Sequence, residues 1–226
     1  MRVNFSRLSF WCAALLAASV TGGFAQSPDP VPLPKPRTDG GRPLMQVFKD
    51  RKSTREFSRE PLPLQTVSDL LWAAFGINRP DGHRTAPSAM NSQEMEIYVG
   101  TADGLFLYEA KEHQLRPVAR EDIRAKTGGQ PFVTNAPLAL VFVADLPKLA
   151  KAKAEERPMY AGIDTGFISQ NVYLFCASEG LATVVHELGG RAVLAQAMRL
   201  RPEQRIVLAQ SVGYPKKAQA ESASSK

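Results

Sequence analysis

Residues 137–144 (PLALVFVA) constrain this chain more than any other stretch. The run carries no charge and no hydrogen-bonding side chain. A strand that alternates apolar and polar residues can rest with one face in water, but one that is apolar at every position has to be covered on both. The run therefore reads as the central strand of a sheet with packing on either side. Helices are the natural cover, and residues 159–178 supply a long one. Ile163, Phe167, Ile168, Val172, Phe175 and Cys176 recur there at helical spacing, and apolar residues occur nearly all round, as in a buried core helix.

Around these two elements the chain reads as mixed α+β, a central sheet with helices about it. Pro43 suits a first helical turn, with Leu44, Val47 and Phe48 as its apolar stripe. Residues 65–75 (QTVSDLLWAAF) predict a second helix with Val67, Leu70, Leu71 and Ala74 on one face and Gly76 as its stop. Residues 95–100, 105–108 and 114–118 read as a strand meander, and 181–185 and 206–212 as two later strands. Helices are expected over 121–126, 146–156 and 191–198. Residues 77–93 have no period and many turn formers, so they are read as a long loop of the kind that usually carries function.

The first 25 residues read as an export signal rather than as part of the fold. Arg2 and Arg7 form a basic start, residues 10–20 give an apolar run of 11 residues, too short to span a bilayer, and Gly23, Phe24 and Ala25 offer a cleavage site. The expected location is periplasmic or secreted. Cleavage leaves 201 residues and removes two arginines, so the formal charge falls from +6 to +4. That is mild, and no basic face is interleaved with aromatics, which argues against nucleic acid as partner. Cys12 departs with the signal, so Cys176 is alone and no internal disulfide is available. Residues 26–42 (QSPDPVPLPKPRTDGGR) predict an extended linker or arm, 43–217 the folded domain, and 218–226 a disordered tail.

Several chemistries are excluded by missing motifs. No Gly-x-Gly-x-x-Gly follows a strand, and no phosphate loop ending in Gly-Lys-Ser/Thr is present. His186-Glu187 opens like a zinc-protease motif but lacks the second histidine, and no histidine has ligand-spaced neighbours, so no metal site is expected. No nucleophile elbow accompanies a Ser/His/Asp set. What remains is three polar clusters: Arg51, Ser53 and Arg55; residues 86–93 (APSAMNSQ); and Gly180-Leu181-Ala182-Thr183, followed by Gly189-Gly190. Guanidinium forks and a hydroxyl suit a ligand that is anionic at one end and polar along its length, and a nucleotide-like cofactor has that form. Glycines let backbone N–H groups approach a flat ligand closely. Taken singly, each cluster also reads as a solvated loop, a cap or a turn.

In order and spacing, these pieces resemble the FMN-dependent nitroreductase superfamily. They comprise Arg-x-Ser-x-Arg-x-Phe, Pro-Ser-x-x-Asn-x-Gln before a strand, a buried helix with Ser169-Gln170-Asn171, Gly-Leu-Ala-Thr, and a closing Gly-Tyr-Pro. The resemblance covers about residues 43–217, and the versions found here look most like the branch that includes azoline-oxidising peptide dehydrogenases. It implies a nitroreductase-like fold, a mostly antiparallel sheet surrounded by helices, and a homodimer with FMN at the subunit interface. It implies that Arg51 and Ser53 hold the phosphate and ribityl end, that Arg55 reaches the N1/O2 edge of the ring, and that Pro87, Ser88 and Asn91 come from the partner. The backbone of Leu188, Gly189 and Gly190 would lie near flavin N5, with Lys216 or Lys217 adding charge at the phosphate. The implied activity is hydride transfer through flavin N5 to a flat organic acceptor such as a nitroaromatic or quinone, with no catalytic side chain required. A non-catalytic exported protein that binds flavin or another flat ligand on the same scaffold is the alternative.

Overall fold

The computed structural model describes residues 29–217. The expected signal segment and the expected tail lie outside the described residues. Seven strands form one sheet: β1 (Val31–Pro32), β2 (Met95–Thr101), β3 (Gly104–Glu109), β4 (Gln114–Ala119), β5 (Leu138–Asp145), β6 (Ala182–His186) and β7 (Gln204–Gly213). Their order is β1-β4-β3-β2-β5-β7-β6, and every pairing is antiparallel. Four helices accompany them: α1 (Leu44–Asp50), α2 (Leu64–Phe75), α3 (Arg157–Glu179) and α4 (Arg191–Ala197).

β5 lies where its sequence requires. It pairs with β2 on one side and β7 on the other, and all eight of its residues are buried. Its side chains alternate between two cores. Leu138, Leu140, Phe142 and Ala144 pack with Leu70, Leu71 and Phe75 of α2 and with Ile168, Val172 and Cys176 of α3. Val141 and Val143 pack on the other face with Leu105, Ile123, Leu194 and Met198. The sheet thus lies between α2 and α3 on one side and α4 on the other.

α3 is central but not covered all round. Ala161, Asp164, Thr165, Ile168, Ser169, Val172 and Cys176 are buried, while Met159, Ile163 and Phe167 stand 54%, 46% and 45% exposed. Apolar residues one turn apart on the far side had made the helix read as buried throughout; in a single chain that stripe has no cover. The helix ends at Gly180, whose φ of 70° is left-handed and suits glycine at this position.

Two segments differ from expectation. Residues 146–156 do not form an exposed helix: Leu146–Leu149 is one 3-10 turn, and the chain turns again before α3. The alanine–lysine alternation favours a helix, but Leu149 and Ala152 are drawn into the core, which outweighs local propensity. Over 121–126 only Arg124–Lys126 winds, as a 3-10 turn. The described part of the arm lies along the domain: β1 pairs with Leu115 and Gln114, Leu33 N–H reaches His113 O at 3.1 Å, and Arg37 Nε donates to Asp69 Oδ2 at 2.8 Å. Another 3-10 turn spans Pro131–Thr134.

Gly213, in the Gly-Tyr-Pro motif, closes β7 against β5. A Cβ there would stand 2.9 Å from Pro137 Cγ and closer still to its Cδ, with Phe57 behind at 3.4 Å. Proline cannot rotate away, so Gly213→Ala should cost about 1–3 kcal/mol. A urea titration checks this as a lowered midpoint with an unchanged slope.

Candidate cofactor site

After α1, residues 51–58 close the outer edge of the sheet. β6 pairs with β7 alone and leaves its other edge open. Thr54 N–H donates to Thr183 O of β6 at 2.9 Å. Phe57 forms a bridge with Pro215, Ser58 N–H donates to Tyr214 O at 2.9 Å, and Lys216 N–H donates to Glu56 O at 3.0 Å. Phe57 is buried and packs with Phe132, Ala136, Ala182 and Val184. The aromatic at the end of the motif is therefore an anchor. The first cluster and the Gly-Tyr-Pro-Lys-Lys segment, some 160 residues apart in the chain, run side by side.

The polar side chains of this edge meet a residue that the sequence did not mark. Tyr173, on α3, places its hydroxyl 2.9 Å from Ser53 Oγ and 2.9 Å from Val185 N. The Arg51 guanidinium carbon lies 5.3 Å from the centre of the same ring, a cation–π stack. Nothing in the sequence singles out Tyr173 within the apolar helix, and only the tertiary position of β6 reveals its contacts. Ser53 and Arg55 are exposed, as are Lys216 and Lys217. Among the described residues none of Arg51, Arg55, Lys216 and Lys217 is held in an ion pair, so their charge is available to a ligand. This donor set of guanidinium, hydroxyl and ammonium groups suits a phosphate-bearing molecule.

The second cluster is built differently. Met90, Asn91 and Gln93 have φ of 54°, 51° and 47°, a left-handed run unusual for residues with side chains. The Ser88 hydroxyl is committed within the loop: it accepts Gln93 N–H at 2.8 Å and donates to Glu94 Oε2 at 3.1 Å. Pro87 and Asn91 are exposed. Below the loop lie two buried carboxyls, Glu94 at 0% and Asp164 at 2% exposure. Asp164 Oδ2 accepts Ala89 N–H at 2.7 Å. Burial, and then the nearby Asp164, push the Glu94 carboxyl up to about 7. Sequence reading missed this pair because its members are 70 residues apart.

Within one chain the first two clusters do not meet. Asp164 and Tyr173 are nine residues apart on α3, which separates them by about 13 Å along the axis and about half a turn around it. The third cluster lies closer to the first. Leu188, half-buried, and Gly189 and Gly190, both exposed, follow directly on β6, three residues beyond Val185. Gly190 caps α4. His186 is buried between Ser211 Oγ at 3.1 Å and Glu187 O at 3.3 Å, and burial lowers its pKa, which keeps the ring neutral. A cleft of about 680 Å³ lies between the arm, α1 and α3, lined by Asp69, Trp72, Asn171 and Phe175. None of the candidate site residues named from the sequence lines it.

Residues 48–214 match the nitroreductase family. The chain belongs to the nitroreductase family. A provisionally named nitroreductase of Methanocaldococcus jannaschii is 30% identical over 151 residues, covering 62% of this chain and 76% of that protein. A crystal structure of a provisionally named nitroreductase from Ralstonia eutropha JMP134 is 39% identical, superposes with a TM-score of 0.81 and covers 85% of this chain and 92% of that one. An NADPH:FMN oxidoreductase from Vibrio harveyi, at 20% identity and a TM-score of 0.58 over 77% of this chain and 69% of that one, shares the fold. Membership of the nitroreductase family supports an oxidoreductase class for this chain. The expected nitroreductase fold, with its antiparallel sheet and surrounding helices, is present.

Proposed function

We propose that this nitroreductase-family chain is an FMN-dependent oxidoreductase that passes electrons to a flat organic acceptor such as a nitroaromatic or quinone. The observation that carries this reading is the cationic, hydroxyl-bearing edge where Arg51, Ser53, Tyr173 and the segment through Lys217 come together. FMN, when bound, supplies the hydride chemistry. Arg51 and Ser53 would hold its phosphate, with Lys217 adding charge from the adjoining segment. Arg55 would set a fixed cation beside the ring edge where reduction places negative charge. The exposed backbone of Gly189 and Gly190, with Leu188 before them, would lie against the ring.

We further propose a homodimer, with the partner subunit's Pro87, Ser88 and Asn91 completing each site. Two observations support it: the two clusters lie on opposite sides of α3, and Met159, Ile163 and Phe167 leave an apolar stripe without cover. Export to the periplasm or beyond, with removal of residues 1–25, belongs to the same proposal.

Purified protein titrated with FMN should show the visible flavin bands, bleach on addition of a reductant, and recover when a quinone or nitroaromatic is added. Arg51→Ala should weaken FMN binding by about 10-fold or more, the loss of a charge-assisted phosphate contact. A wild-type protein that binds no flavin would overturn the reading. One that binds FMN but never passes electrons on would be a binding protein instead.

A further inference from the structure

Resting on the flavin reading above, we propose that Tyr173 is a positioning residue that commits the Ser53 hydroxyl to donating toward an anionic ligand group, and so selects a phosphate-bearing flavin over its uncharged form. The direction of each hydrogen bond follows from what each group can do. Val185 N–H can only donate, so at 2.9 Å the Tyr173 oxygen is its acceptor. The phenol has a single proton, and the partner at 2.9 Å able to take it is Ser53 Oγ. With Tyr173 donating to Ser53 Oγ, the serine's own proton points away, toward the open side on which Ser53 is exposed.

The result is a relay of aligned dipoles, from Val185 N–H through the phenol to the serine hydroxyl, in which each bond polarises the next. Its origin is the sheet edge. Thr54 takes the carbonyl of Thr183, and Val185 N–H, on the same free edge of β6, goes to Tyr173. The same ring carries the Arg51 guanidinium 5.3 Å from its centre, two residues from Ser53. One aromatic side chain thus fixes a cation and sets the polarity of the neighbouring hydroxyl. A donor-only pair of this kind favours an anion over a ligand ending in a neutral hydroxyl, which gains no charge assistance.

The test titrates FMN and riboflavin into wild type, Tyr173→Phe, Ser53→Ala and the double variant, following flavin fluorescence. Phenylalanine keeps the ring and the Arg51 stack but removes the relay. FMN should bind Tyr173→Phe about 10-fold more weakly and riboflavin less than about 2-fold. The double variant should bind FMN no more weakly than Ser53→Ala, because the tyrosine acts through the serine. Equal losses for both flavins, or additive losses in the double variant, overturn the proposal while leaving FMN binding intact. Inorganic phosphate alone, read as a rise in Tm, separates the relay from the flavin reading. A phosphate-dependent rise that Tyr173→Phe abolishes supports the relay even in a protein with no flavin affinity. An undiminished rise, or none in wild type, overturns it.

Discussion

Glu94→Gln should make the protein more stable above neutral pH, by a margin over wild type that grows with pH. Glu94 is wholly buried beside Asp164, under the left-handed loop. Burial, then repulsion from Asp164, raise its carboxyl from the ordinary range to about 7. The folded state therefore holds a proton that the unfolded chain gives up near its ordinary pKa. The stability associated with that proton is fully present below the unfolded value, declines as pH rises toward 7, and is absent above it. The decline is on the order of 3 kcal/mol. Glutamine keeps the shape and an acceptor for Ser88 and carries no charge. Over urea midpoints at pH 5, 6, 7 and 8 the gap between Glu94→Gln and wild type should widen with pH, to about 3 kcal/mol in the variant's favour at pH 8, whatever slope the buried His186 adds to both profiles. Parallel profiles would show that the folded state carries no such proton.

Phe142→Ala should destabilise by about 3–5 kcal/mol, the cost of a large side chain removed from a site that cannot collapse. Phe142 is fully buried at the middle of β5, between Leu208 of β7 and Ile97 of β2, and packs in the core shared with α2 and α3. Neighbouring strands hold the backbone on both sides, so the cavity persists. Against a typical domain stability of about 5–15 kcal/mol the loss is large enough to lower the yield of folded protein at 37 °C. In protein prepared without residues 1–25, Trp72 is the one tryptophan, and its half-buried indole reports the transition. A urea midpoint near that of wild type would mean that the β5 core repacks far more freely than its closure on both sides suggests.

The fold was legible where composition leaves one solution. Residues 137–144 had to be a covered strand, and 65–75 and 159–178 had the period of helices; all three stand within a residue or two of expectation. Segments with weak local signals went wrong when the core pulled them in, as Leu149 and Ala152 did. The candidate site was legible only in its exposed parts. Arg51, Ser53 and Arg55 announce themselves as a dense polar motif, and glycines mark the third cluster. Tyr173, Glu94 and Asp164 give no such signal, because a tyrosine in an apolar helix or an acid beside a strand becomes meaningful only through a partner far along the chain. Ser88 shows the converse: its hydroxyl looked available in sequence and is occupied within its own loop.

The last strand in chain order, β7, occupies the place between β5 and β6. Until it arrives, β6 has no neighbour in the sheet, and residues 51–58 have no finished edge to close. As the chain emerges from the ribosome, Arg51 and Ser53 appear before Tyr173 and β6, which orient them, and before β7, which holds β6 in the sheet. This edge is thus assembled from segments at both ends of the described chain. A nascent or truncated chain lacking β7 would present the motif without the geometry of the finished sheet.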